Sequence, residues 1–277
     1  MANKPSSTIK AIFSVRFWKE YIYRKRIRSL IYLFNKTVRQ QEKDVLSIPI
    51  LIISYNRLND LKELISFLVE RKHKNIIIID NKSTYPPLLE YYEQIKDKVT
   101  IELINRNDGH LTFWLNENLF DKYGKGYYIV TDSDIIPNNK LPNDYIHQMI
   151  NILWDNGQVT KVGFALRIDD IPDTYNQKQY VLDWEKQFWE NQIGENLYKA
   201  RLDTTFALYT PQYRYFYDTF YNAIRIGGNF TAQHGGWYID NQNPSEEEKY
   251  YIRTASSSSS WNADEKGANT NELYIKK

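Results

Sequence analysis

The sequence predicts an α/β fold in which a mainly parallel sheet is flanked by helices. Short continuous apolar runs alternate with amphipathic stretches over residues 48–140. Each run has the length of a strand buried on both faces, and parallel neighbours need crossover helices between them. The composition, 42% hydrophobic and 25% charged over 277 residues, is that of a globular chain long enough to bury a core.

The regular part of the chain begins with a strand at 48–54. Pro49 stands at its start, a position that a strand tolerates. Apolar residues then recur at helical spacing over 61–68, which predicts an amphipathic helix packed on the sheet. The alternation continues with a strand at 75–80, a helix opening at 84–90, a strand at 99–104, a helix over 111–122 and a strand at 127–131.

The regularity weakens beyond residue 137, so we expect an irregular C-terminal region. A polar and aromatic interval with no firm period lies at 167–203. A serine run at 256–260 is typical of a loosely ordered loop, and residues 262–277 are predicted to fray. The remaining predicted elements are a helix at 145–154 and strands at 161–166 and 204–209.

The N-terminal segment is strongly basic. Residues 1–48 carry 11 basic and 3 acidic side chains, although the net charge of the whole chain is only +2. Residues 9–34 predict a basic amphipathic helix with aromatic side chains. Such a helix either lies on an anionic membrane surface or packs on the main domain with a solvated charged face. No apolar run is long enough to span a bilayer and no signal peptide is evident, which predicts a cytoplasmic protein that could sit peripherally on the inner face of a membrane.

Several function classes are excluded by what the sequence lacks. It has no cysteine, which excludes disulfides, thiolate metal sites and a cysteine nucleophile. Four histidines make a three-histidine metal site unexpected. The P-loop, the dinucleotide-binding glycine motif, the nucleophile elbow and the zincin motif are all missing.

Polar clusters follow the four predicted strands of the first half. Because ligands of parallel α/β sheets bind outside the carboxyl ends of the strands, we expect the clusters to face one crevice. They are Ser54-Tyr55-Asn56-Arg57, Asp80-Asn81-Lys82-Ser83, Asn105-Arg106-Asn107-Asp108-Gly109 and Asp132-Ser133-Asp134.

The last of these clusters is the most informative. Asp132 and Asp134 are two residues apart directly after an apolar strand, and such carboxylates can converge on one hard divalent cation. Without a cation or compensating hydrogen bonds the two acids would repel each other.

These segments resemble the GT-A type nucleotide-sugar glycosyltransferases, including the inverting bacterial and viral members. The residues Ser54-Tyr55-Asn56-Arg57, the Asp80 segment, the Asn105–Gly109 cluster and the D-x-D segment at Asp132 match in family order over about a third of the chain. The resemblance implies a GT-A-like, Rossmann-type sheet. It also implies four parts of the chain: a basic helical segment at 1–47, a nucleotide-sugar-binding half at 48–140, an acceptor-side half at 141–261 and a flexible tail at 262–277.

The resemblance further implies that a sugar is transferred from a nucleotide-diphosphate donor to a glycan or glycoconjugate acceptor, as in polysaccharide biosynthesis. The cofactors would be Mn²⁺ or Mg²⁺ and a UDP-sugar, with a GDP-sugar as second choice. No nucleic-acid partner is expected. The metal ligands implied are Asp132, Asp134 and His234. The donor-binding residues implied are Ser54, Asn56, Arg57, Asp80, Asn81, Asn105, Asn107, Asp132 and Ser133.

Inversion at the sugar needs a base that takes the proton of the acceptor. Asp203 is the first candidate, Asp240 the second and the pair Asp169-Asp170 the third, while a retaining reaction would use none of them. His110, next to Gly109, could reach the donor. Four tryptophans could stack on sugar rings, namely Trp184, Trp189, Trp237 and Trp261.

Three alternatives remain open. A sugar nucleotidyltransferase would carry a glycine-rich, basic loop after the first strand, and none is present. A D-x-D phosphohydrolase would carry its acids after the first strand, whereas here they follow the fourth. A non-catalytic membrane-associated adaptor would account for the basic N-terminus but not for the acidic cluster.

Overall fold

The computed structural model describes residues 15–156 and 159–255. The strands are β1 (Ile50–Ser54), β2 (Ile76–Asp80), β3 (Thr100–Leu103), β4 (Tyr128–Asp132), β5 (Ile135–Pro137), β6 (Lys161–Leu166), β7 (Gln192–Gly194), β8 (Leu197–Arg201), β9 (Ala207–Tyr209) and β10 (Asn222–His234). The helices are α1 (Val15–Phe34), α2 (Lys36–Lys43), α3 (Asn59–Glu70), α4 (Pro86–Ile95), α5 (Thr112–Leu115), α6 (Glu117–Tyr123), α7 (Tyr145–Asp155), α8 (Lys178–Lys186), α9 (Tyr217–Phe220) and α10 (Glu246–Thr254). Predictions for residues 1–14, 256–260, Trp261 and 262–277 lie outside the described residues.

The ten described strands form one sheet in the order β3-β2-β1-β4-β9-β6-β10-β8-β7, and β5 also pairs with β10. The predicted α/β fold is confirmed. The four strands predicted in the first half are parallel neighbours, as expected from their alternation with helices. Beyond β4 the sheet is mixed, because β9 runs antiparallel to both β4 and β6.

The apolar side chains of β1 and β2 pack in two hydrophobic cores, one on each face of the sheet. Ile50 and Ile52 pack in one core with α3, α4 and α7, whereas Leu51 and Ile53 pack in the other with α5 and α6. Successive side chains of a strand point to opposite faces, so a run that is apolar throughout requires cover on both. The edge strand β3 is only partly buried.

The second half of the chain is more regular than predicted. The interval 167–203 contains α8 and the β7–β8 hairpin, and β10 was not predicted at all. The strand predicted at 204–209 begins only at Ala207, and the helix predicted over 111–122 is broken at Asn116, whose side chain caps α6. Tertiary pairing decides these elements, because their sequences alternate only weakly.

Within residues 22–34, one face of the N-terminal helix packs on the domain. Ile27 and Ile31 contact the core, and Lys25 forms an ion pair with Asp155 of α7 at 3.3 Å. Elsewhere the helix exposes large apolar side chains, Phe34 at 84% and Leu33 at 62% among them. No helix within the described ranges is long and apolar enough to cross a bilayer.

Candidate functional site

The strand register brings the predicted polar clusters to one edge of the sheet. Ser54 pairs with Asp80, and Ile53 pairs with Asp132. The third cluster, Asn105–Gly109, reaches the same edge, because the side-chain amide of Asn81 donates to the backbone carbonyl of Gly109 at 3.0 Å. The pairing of the parallel strands therefore places these clusters next to one another, as expected.

Ser54 and Asp80 are held in a buried hydrogen-bond network. The hydroxyl of Tyr92 donates to Asp80 Oδ2 at 2.7 Å and contacts Ser54 Oγ at 3.2 Å. The backbone N–H of Ser83 donates to Asp80 Oδ1 at 2.7 Å. Both carboxylate oxygens of Asp80 thus accept hydrogen bonds from the protein. In this conformation Asp80 therefore holds together the loops at the carboxyl ends of β1 and β2.

Asn56 is a buried link between three segments. Its side-chain oxygen accepts from the backbone N–H groups of Thr84 and Tyr85, and its side-chain nitrogen donates to Thr254 Oγ1 at 2.9 Å. The residue has φ of 50°, a left-handed conformation that asparagine tolerates better than most residues. Asn56 therefore fixes the loop after β1 to the loop after β2 and to α10.

Asp132 lies at the end of β4 with its carboxylate enclosed. The hydroxyl of Thr204 donates to Asp132 Oδ2 at 2.6 Å, and the backbone N–H of Asp132 donates to the carbonyl of Thr204 at 2.9 Å. Burial, and then the charges of Asp134 and Asp203, raise the pKa of Asp132 well above its usual range. Ser133 is also buried, and its backbone N–H donates to the carbonyl of Ile53.

The carboxylate of Asp134 lies beside the imidazole of His234. Strands β5 and β10 pair His234 with Ile135, which places Asp134 Oδ2 3.8 Å from His234 Nδ1. This separation is too long for a hydrogen bond, and the buried Nδ1 has no other hydrogen-bond partner among the described residues. The imidazole is stacked on Trp237, with ring centroids 4.9 Å apart.

Two glycines after His234 leave room for these side chains. A Cβ on Gly235 would lie 2.1 Å from Asp60 Oδ2, and a Cβ on Gly236 would lie 3.0 Å from His234 Cε1. The backbone N–H of Gly235 donates to the carbonyl of Asp134 at 2.7 Å. Any larger residue at Gly235 would displace the Asp60 carboxylate, so the close approach of the backbone is part of the site.

Arg57 is the buried cation of the site. Its guanidinium lies over the ring of Tyr251 at 4.0 Å. Burial by itself lowers the pKa of Arg57, but the charges of Tyr251, Asp134 and further acids outweigh burial, so the pKa is raised. Its Nε is buried without a hydrogen-bond partner among the described residues.

Two acids beside Arg57 were missed from the sequence. Asp60, on the first turn of α3, has its pKa raised to about 7 by burial and by the charge of Asp134. Glu247 of α10 accepts from the backbone N–H of Asn59 at 3.1 Å. Asp60 and Glu247 carried no sequence signal, because each occurs in a helix where acids are ordinary.

Of the candidate bases, only Asp203 adjoins the D-x-D segment. It precedes Thr204, the residue that holds Asp132. Asp240 instead accepts hydrogen bonds from Gln242 and Asn243 within its own turn. The side chain of Asp170 is bound by Arg167, Gln233 and Tyr238, and that of Asp169 is exposed.

The other predicted positions have ordinary surroundings. Asn105 is exposed, and Asn107 accepts from the backbone N–H of Gly109. Trp237 is fully buried under His234, so it offers no face to a sugar. Trp184 packs edge-on against Phe188 and Trp189 against Tyr198.

The residues present fit a divalent cation shared with a donor. No three histidine or acidic side chains within the described ranges are close enough to form a ligand set by themselves. Asp134 and the unpartnered His234 Nδ1 offer one oxygen and one nitrogen, a pair suited to Mn²⁺. Magnesium and manganese commonly take only one or two protein ligands and complete their shell with substrate phosphates and water.

Comparisons with known proteins give likenesses of fold. No protein-family model matches the chain, and no curated protein sequence matches it. The mannosyltransferase PcManGT from Pyrobaculum calidifontis, solved with GDP-Man and Mn²⁺, has a TM-score of 0.44 and 11% identity, covering 89% of this chain and 73% of its own. S. aureus TarS 1–349 has a TM-score of 0.41 and 10% identity, covering 75% of this chain and 68% of its own. At these values the likenesses carry no assignment of function.

Proposed function

We propose that the protein is a metal-dependent glycosyltransferase that moves a sugar from a nucleoside-diphosphate donor to a glycan or glycoconjugate acceptor. The observation that carries the proposal is the meeting of Asp134, His234 and buried Arg57 at the edge where β1, β2 and β4 end. An oxygen and a nitrogen ligand next to a buried guanidinium suit a metal-bound diphosphate, which carries several negative charges.

Asp134 and His234 would hold the cation, and the cation would offset the charge that develops on the departing diphosphate. Arg57 would provide a second positive charge for the same group. The wall of the cleft near β1 and β2 is built by Ser54, Asp80 and Asn56, whose polar atoms hold one another in place. Asp132 would border the donor from its enclosed position, and of the predicted bases Asp203 is favoured over Asp240 because it adjoins Asp132.

The test is thermal unfolding with UDP, GDP and CMP, each with and without Mn²⁺. We expect at least one nucleotide to raise the melting temperature only when Mn²⁺ is present, with about 2.7 kcal/mol of stabilisation at a hundred times its Kd. Asp134→Asn should remove the metal-dependent part and leave the melting temperature of the free protein nearly unchanged.

The matched control is Asp121→Asn, on α6, where the carboxylate is exposed. It should respond to metal and nucleotide as the wild type does. If none of the three nucleotides stabilises the wild type with Mn²⁺, the proposal of a nucleotide-sugar enzyme is wrong.

We also propose that the outer face of α1 rests on an anionic membrane, which would place the acceptor near a lipid surface. The exposed apolar side chains Ile22, Leu30 and Leu33 share that face with Arg26, and the exposed ring of Phe34 lies at the end of the helix. Apolar side chains and a cation on one face of a helix are typical of segments that lie in a membrane interface. On the inner face, Ile27 and Ile31 are occupied by contacts with the domain core.

A further inference from the structure

Asp203 carries a carboxylate oxygen that lacks a donor. Its Oδ1 is buried and has no hydrogen-bond partner among the described residues, although other atoms of the side chain reach solvent. A buried carboxylate oxygen without a hydrogen-bond donor lowers the stability of the folded protein. Such an atom therefore suggests a partner that approaches it during function. The imidazole of His110 lies beside it, with Nε2 at 3.9 Å from Oδ1, a separation too long for a hydrogen bond.

The pair is fixed next to the D-x-D segment. Thr204, directly after Asp203, donates its hydroxyl to Asp132, and the ammonium of Lys161 donates to the main-chain carbonyl of Asp203 at 3.0 Å. Lys161 is fully buried, so the backbone that carries Asp203 is anchored from inside the domain.

The side chain of His110 is partly open to solvent. Its ring lies near Phe220, with centroids 6.1 Å apart, and 35% of its side chain is exposed. The loop that carries it is bound to the edge of the sheet by the hydrogen bond from Asn81 to Gly109. One ring nitrogen therefore faces Asp203 while the other is left for a ligand.

We infer that His110 is the base that takes the proton of the acceptor and that Asp203 orients it. This inference rests on the proposed glycosyl transfer. It assigns the role of base to His110 instead of Asp203. The acceptor oxygen forms a bond to the anomeric carbon, and the bond from that carbon to the phosphate oxygen breaks. The electron pair leaves with the nucleoside diphosphate, the hydroxyl proton passes to His110 Nδ1, and the negative charge of Asp203, 3.9 Å from Nε2, offsets that of the imidazolium. Displacement of this kind inverts the anomeric centre.

The test follows hydrolysis of UDP-glucose, UDP-galactose and GDP-mannose with Mn²⁺, where water takes the place of the acceptor. For a donor that the wild type hydrolyses, His110→Ala should lower kcat about 100-fold or more, the usual effect of losing a general base. The Kd for the nucleoside diphosphate should stay within about two-fold, because the base acts on the acceptor side. Added imidazole should restore part of the rate in His110→Ala but not in Asp203→Asn. His110→Gln provides a second variant of similar size should His110→Ala unfold.

The control is His147→Ala, an exposed histidine on α7, which should leave kcat unchanged. The inference alone is overturned if the wild type binds nucleotide with Mn²⁺ and hydrolyses a donor, yet His110→Ala hydrolyses it at the rate of His147→Ala. It is also overturned if NMR of the released sugar shows retained anomeric configuration. A wild type that binds no nucleotide with Mn²⁺ would overturn the proposed function and this inference together.

Discussion

Burial shifts the pKa values of single residues in this protein away from those they have in water. His73 is 8% exposed, and its Nε2 lies 2.7 Å from the hydroxyl of Tyr145. Burial, with a smaller contribution from the charge of Arg71, lowers the pKa of His73 to about 4. The unfolded chain therefore binds a proton at His73 at a higher pH than the folded protein does.

This difference predicts an acid-sensitive contribution to stability. The contribution is fully present above the unfolded pKa of about 6.5 and is lost as the pH falls toward 4. Between pH 7 and pH 5 it should cost the wild type about 2 kcal/mol of unfolding free energy. His73→Gln, which cannot titrate, should lack that share of the loss in urea unfolding, whereas exposed His147→Gln should keep it. Parallel pH profiles for wild type and His73→Gln would contradict the prediction.

At the scale of elements, α3 depends on α10 for its N-terminus. The residue before α3 is Leu58, which has no side-chain oxygen, and the carboxylate of Glu247 accepts from the backbone N–H of Asn59 instead. Tyr55 and Asn56 add hydrogen bonds to Thr254 at the other end of α10. One helix thus completes both the loop after β1 and the helix that follows it.

Loss of this capping carboxylate should have a measurable cost. Glu247→Ala should lower the unfolding free energy by about 1–2 kcal/mol, as for other lost caps, and should speed hydrogen exchange at the first amides of α3. The matched variant is Glu246→Ala, one residue earlier, where the carboxylate is exposed and pairs with Lys249 of the same helix. Equal losses for the two variants would show that Glu247 contributes through its own helix alone.

At the scale of the whole molecule, the proposed membrane contact of α1 can be tested on its exposed apolar side chains. Leu33→Ser with Phe34→Ser should reduce cosedimentation with vesicles containing phosphatidylserine, because the buried apolar area falls. Leu103→Ser removes a side chain that is similarly exposed, at 68%, on β3 and should leave binding unchanged. If the double variant binds vesicles as the wild type does, α1 is not the membrane contact.

The sequence predicts the first half of the molecule well because β1, β2 and β4 are buried on both faces and therefore apolar throughout. It predicts that Asp132 and Asp134 lie at the mouth of the sheet, since each follows a recognisable strand. It does not predict β10, whose glycines and polar residues are paired by three other strands. For the same reason it does not predict the approach of His110 to Asp203 or the place of Asp60, which depend on contacts distant in sequence.

The hydrogen bonds from Tyr55 and Asn56 to Thr254 span 199 and 198 positions of the chain. During synthesis, the parallel strands β1 to β4 leave the ribosome well before α10, the helix that holds the loop after β1. A chain truncated before residue 246 would lack the hydrogen bonds from Tyr55 and Asn56 to Thr254 and the ring of Tyr251 that covers Arg57, so the Arg57 guanidinium should become accessible to solvent.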